Sequence, residues 1–122
     1  MTVNKLNDIF IKISVATFFD FLKKLDIDES LDARDEDPFD SQWMDNFNRL
    51  ENESFDKDDL NIINKIREYV FKESFRVVES DEISARISDD FELIAKDLAL
   101  NEKNSWPVNY LWKSYEAGIF PV

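Results

Sequence analysis

One glycine and three prolines are spread through 122 residues, and this scarcity constrains the fold more than any other property of the chain. Tight β-hairpins draw on residues that accept positive φ or preset a turn, so a sheet with many reversals has almost no material here. Pro38, Pro107 and Gly118 fall instead at positions suited to helix starts and a helix stop. The expected fold class is all-α, about five to six packed helices forming a single domain over residues 1–122, because a chain of this length suits one core. Eleven Phe, three Trp and three Tyr supply the apolar area for that core although 34% of the residues are charged.

The first helix is expected from about Asn4 to Leu25. Leu6, Phe10, Ile13 and Thr17 form one stripe with Ile9, Ala16, Phe19 and Leu22 beside it, a face wide enough for a central helix. Ile9, Ile11, Ile13 and Val15 also alternate, which is a strand signal, so α+β is the alternative if residues 9–15 form a strand. The ensuing FFDFLKKL favours helix. Asp37 and Pro38 read as N-cap and first helical residue of FDSQWMDNFNRL, where Phe39, Trp43, Phe47 and Leu50 recur at spacings of four, four and three. Ser54 or Asp56 can cap the next helix, which carries Leu60, Ile63, Ile66 or Arg67, Val70 and Phe71. Ser80 and Ser88 are both placed to cap; Ser88 is the better of the two, with Asp89 and Asp90 as first-turn carboxylates before Phe91, Ile94, Ala95 and Leu98. Finally, Ser105 precedes Trp106 and Pro107, and Val108, Leu111, Trp112 and Tyr115 follow at helical intervals until Gly118 supplies a C-cap.

Charge is concentrated. Residues 26–59 hold fourteen acids against Arg34, Arg49 and Lys57, so this segment carries net −11 of the chain's −12. Its densest part, DIDESLDARDEDPFD at 26–40, has eight acids and one cation, Arg34. A concentrated acidic block directs a field outward in a way that an even distribution of the same charge does not. Asp26, Asp28, Ser30 and Asp32 alternate like the start of an EF-hand calcium loop, and Asp37 stands at the twelfth place. The pattern fails where geometry is strict: the sixth position needs Gly and holds Leu31, the eighth holds Ala33, and the twelfth is Asp in place of a bidentate Glu. No metal site is expected from it.

Catalytic chemistry lacks its usual parts. The chain has no His and no Cys, which removes the commonest general base, the commonest transition-metal ligand and thiolate nucleophiles. Its serines have no imidazole to activate them and no glycine-rich elbow or phosphate loop. The reading is therefore non-enzymatic, with no catalytic residue, cofactor or small-molecule substrate. Net negative charge disfavours nucleic acid as a partner. The N-terminal MTVNKLNDIFIKIS has no basic region before a long apolar run, and no segment reaches about 18 apolar residues, so neither a signal peptide nor a membrane span is expected. The absence of Cys fits a reducing compartment, and the expected location is cytoplasmic.

The final third, ISDDFELIAKDLALN followed by SWPVNYLWKSYEAGIFPV, resembles the C-terminal pattern of small bacterial immunity proteins that guard against polymorphic toxins, including those of contact-dependent growth inhibition. The matching elements are Asp89-Asp90-Phe91 with Ile94-Ala95, then Leu111-Trp112, Tyr115, Gly118 and Phe120-Pro121. The resemblance implies a cytoplasmic protein that binds the C-terminal domain of one cognate toxin and blocks its substrate. Such toxins are often nucleases with basic clefts, and the acidic block provides the complementary field. The residues expected to meet the partner are Asp26, Asp28, Glu29, Asp32, Asp35, Glu36, Asp37 and Asp40, which steer association, and exposed members of Phe39, Trp43, Met44 and Phe47, which anchor it. An alternative with the same electrostatics is a phosphate-mimicking inhibitor of a DNA-binding host or phage-defence protein.

Overall fold

A computed structural model describes residues 2–100 and 105–122. Among these residues there is no strand, and the order is α1 (Thr2–Ile13), a 3-10 turn (Asp20–Lys24), α2 (Ile27–Arg34), α3 (Phe39–Glu51), α4 (Lys57–Val78), α5 (Asp81–Ala99), a π-helical stretch (Pro107–Trp112) and α6 (Lys113–Glu116). The all-α expectation holds. Residues 9–13 lie in α1, which removes the strand alternative.

The long first helix does not form. α1 stops at Ile13, where Ser14 Oγ donates to the Phe10 carbonyl at 2.6 Å and competes with continued winding. Val15 and Thr17 follow, both β-branched and weak helix formers. The break also serves packing: Phe19 and Leu22 reach the core at 3% and 1% exposure, while Ala16 and Thr17, assigned to the apolar face of a continuous helix, lie at the surface.

The centre belongs to α5 instead. Ile83, Ile87, Phe91 and Ile94 are all fully buried and recur at helical spacing, and Leu93 and Ala95 widen the buried face beyond one stripe. α4 lies antiparallel beside it, as the cross-contacts of Ser74 with Ser84 and Arg67 with Asp89 require. α1 covers both, and the π-helical stretch and α3 also pack on α5. α4 is capped by Asp56, whose carboxylate accepts from Asp59 N at 2.8 Å, and it runs on through FRVV to end at Glu79 in a left-handed conformation. α5 begins at Asp81 with Ser80 as its cap. Ser88 is an interior residue, so Asp89 and Asp90 lie beyond the second turn rather than at a helix start.

The C-terminal segment is capped from outside. Asp97 is 3% exposed and accepts from Ser105 N at 3.0 Å, Ser105 Oγ at 2.8 Å and Val108 N at 3.3 Å. The Ser105 hydroxyl donates to Asp97, and the carboxylate receives the free N–H groups. At the other end Gly118 has φ +73°, with Gly118 N bonded to Tyr115 O and Ile119 N to Ser114 O, the Schellman arrangement. A Cβ built at Gly118 would meet Phe21 Cβ at 3.8 Å, an ordinary contact. Gly118→Ala is therefore expected to cost only the left-handed backbone strain, about 1–2 kcal/mol, measurable by denaturant titration.

Candidate functional site

α2 is eight residues long and rich in acids, a composition that does not hold a helix by itself. Three local effects help it. Asp26 accepts from Glu29 N at 3.0 Å as an N-cap, Asp28 and Glu29 sit where the helix dipole favours negative charge, and Arg34 lies in the last turn. Helical spacing then sorts the charges. Asp28, Glu29, Asp32, Asp35 and Glu36 fall at i, i+1, i+4, i+7 and i+8, a single stripe that the turn after α2 continues, whereas Arg34 projects from the opposite side. The alternation that resembles a calcium loop lies on this helix and its cap, where residues two apart point about 200° apart and do not converge on one ion.

All eight carboxylates of 26–40 are exposed. Among the described residues no ion pair includes any of them. Asp37 accepts from Ser41 N at 3.2 Å and from Ser41 Oγ, so it closes the first turn of α3 even though Pro38 takes the N-cap position expected for Asp37. The other seven carboxylates are left facing solvent, apart from the capping bond of Asp26.

The one cation of the stretch is spent inward. Arg34 is the buried residue of α2, and it grips the fully buried Asp90 of α5 through two parallel bonds, Nη1 to Oδ2 at 2.9 Å and Nη2 to Oδ1 at 2.6 Å. Nη1 also donates to Pro121 O at 3.1 Å, and the guanidinium lies 4.5 Å from the Phe39 ring centroid and 5.0 Å from that of Phe120. Asp90 accepts further from Trp43 Nε1 at 2.8 Å and Tyr115 OH at 2.7 Å. Burial alone would lower the pKa of Arg34, but the adjacent Asp90 carboxylate more than offsets it and holds the guanidinium pKa above its ordinary value. Burial, then the Asp90 charge, pushes the Tyr115 phenol well above its usual range, so it stays a donor. The cluster ties α2, α3, α5, α6 and the C-terminal strap at one point, and it takes the one cation of residues 26–40 out of the acidic surface, leaving the exposed Arg86 of α5 as a basic neighbour of Asp35 and Asp40.

The aromatic ridge of α3 divides by burial. Phe39 is 6% exposed and belongs to the core beside Arg34 and Trp106. Trp43 and Phe47 are half-buried and stack on each other at 5.5 Å, with 12° between their planes. Met44, at 42% exposure, is the exposed member of this group. Phe39 therefore has little ring surface to offer a partner, while Trp43, Phe47 and Met44 remain partly accessible. The structural role of Asp90 escaped the sequence reading. The available signal was a carboxylate set among Ile87, Phe91 and Ile94 on an otherwise apolar helix face.

Among the described residues no helix is long and apolar enough to cross a membrane. No curated protein matches this chain. The family described as Immunity protein PIM1 does match, over residues 8–122, which takes in the acidic segment, the Arg34–Asp90 cluster and the whole C-terminal segment. The chain belongs to that immunity-protein family, and its general role is to neutralise a toxin by binding a cognate toxin protein.

Proposed function

We propose that this protein blocks the nuclease domain of its cognate toxin by laying the acidic face of residues 26–40 over a basic active-site cleft. The observation that carries the reading is the separation of charge: eight exposed carboxylates with no ion-pair partner among the described residues, and the one cation of their own stretch, Arg34, buried against Asp90. Asp26, Asp28, Glu29, Asp32, Asp35, Glu36, Asp37 and Asp40 steer the encounter. Met44 and the accessible parts of Trp43 and Phe47 hold the complex. A cationic cleft so covered is closed to its nucleic-acid substrate without chemistry by the inhibitor. The setting that fits is one compact domain acting in the cytoplasm of a bacterium that carries out contact-dependent growth inhibition.

The test pairs this protein with the toxin domain encoded immediately upstream. Co-expression is expected to restore growth. Stopped-flow association is expected near 10⁸ M⁻¹s⁻¹ at low salt and to fall toward the ordinary 10⁵ to 10⁶ M⁻¹s⁻¹ as ionic strength rises. An association rate that stays flat across that range removes the acidic face from the mechanism.

A further inference from the structure

Beside the acidic stripe lies a pocket of about 390 Å³ between the α2–α3 turn and the C-terminal segment. Its walls are Pro38, Phe39, Trp106 and Tyr110, and Glu36 and Asp37 stand among its lining residues. The aromatic wall is a packed cluster of rings. Trp106 and Tyr110, four residues apart, stack at 5.4 Å with 9° between their planes, and Phe39 meets them at 5.5 Å and 6.2 Å. Tyr110 OH donates to Val122 O at 2.7 Å, which fixes the phenol while leaving the residue 40% exposed. Neither Glu36 nor Asp37 has a cationic partner among the described residues, and Asp37 uses only Oδ1 in binding Ser41.

An aromatic wall with two unneutralised carboxylates matches a flat cation. Aromatic faces attract a guanidinium through their quadrupole, and carboxylates accept its paired N–H groups. The same protein already shows the combination inside its core, where Phe39 and Phe120 flank the Arg34 guanidinium and Asp90 receives it. We propose that this pocket receives one arginine side chain of the toxin, flat against Trp106 and Tyr110 with Glu36 and Asp37 accepting its N–H groups. The proposal rests on the acidic-face reading and adds to it a fixed point of registry. Diffuse steering brings a basic partner near, and a single guanidinium seated in the pocket sets its orientation.

The experiment titrates the full chain with Nα-acetyl-arginine amide, its citrulline counterpart and Nα-acetyl-lysine amide, and reads the indole N–H signals by NMR. Arginine amide is expected to shift the Trp106 signal saturably while Trp112, buried in the core, stays unmoved. Citrulline amide, nearly isosteric and uncharged, should bind at least about tenfold more weakly. Glu36→Gln should weaken arginine binding about threefold. Tyr110→Leu, at an exposed position, should abolish the shift with the melting temperature retained, and Glu36→Arg, also exposed, should abolish it as a second check if Tyr110→Leu unfolds. Citrulline binding as well as arginine, lysine binding better than arginine, or arginine failing to move Trp106 would each overturn the proposal. The two readings separate cleanly: a salt-independent toxin association removes steering whatever the amide does, whereas an unmoved Trp106 with steering intact removes only the pocket.

Discussion

Arg34→Leu is expected to lower stability by about 3–5 kcal/mol, because it leaves Asp90 charged in the core without its counter-ion. Trp43 and Tyr115 would still donate to Asp90, but two neutral donors do not compensate a carboxylate that has lost a bidentate guanidinium. The damage should be local before it is global. α2 has no other buried residue, so its amides should lose hydrogen-exchange protection ahead of those of α4 and α5. The companion variant decides the cause. Arg34→Leu combined with Asp90→Leu removes both charges and should recover much of the loss, as buried pairs replaced by apolar side chains commonly do. A single Arg34→Leu variant that loses less than about 1 kcal/mol would show that the pair does not hold the acidic segment. So would a double variant no more stable than the single one.

The second large effect is on rate. Neutralising Asp28, Glu29, Asp32 and Asp35 together as Asn, Gln, Asn and Asn is expected to slow toxin association about 10- to 100-fold at low salt and to flatten its salt dependence. Folding stability should change little, since relief of like charges four apart on the helix, roughly 0.2–0.5 kcal/mol per pair, offsets the loss of the two first-turn carboxylates that the helix dipole favours. The choice leaves Asp26 and Asp37, whose carboxylates cap helices, and Glu36, which lines the aromatic pocket. Stopped-flow at two ionic strengths reads the change, and dissociation should move far less. An association rate within twofold of the unmodified protein would place the partner surface elsewhere.

The two results are linked through one residue. In the sequence Arg34 looks like a partial neutraliser of its acidic neighbours. In the structure it does the reverse, leaving the surface and committing its charge to Asp90. The segment is thereby both more negative outward and more firmly attached inward, as the proposed docking face requires.

Element type was legible wherever one periodicity had no rival. The helix over 39–51, the existence of the one over 57–78 with its cap narrowed to Ser54 or Asp56, and the turn at Gly118 follow from apolar spacing and local hydrogen-bond chemistry, which act within a few residues. Even the acidic stripe is local, since 3.6 residues per turn puts Asp28, Glu29 and Asp32 on one side of α2. What required the tertiary structure was every decision made between distant segments. The break after Ile13 answers to the need to place Phe19 and Leu22 against the core, and the burial of Phe39 answers to Arg34 and Trp106. Asp97 capping Ser105 and Val108, and Arg34 finding Asp90 fifty-six positions away, answer to a buried charge's need for a partner. Spacing along the chain sets which side of its own helix a residue faces; which residues then become core, partner or surface is set by desolvation, and that is known only once the helices meet.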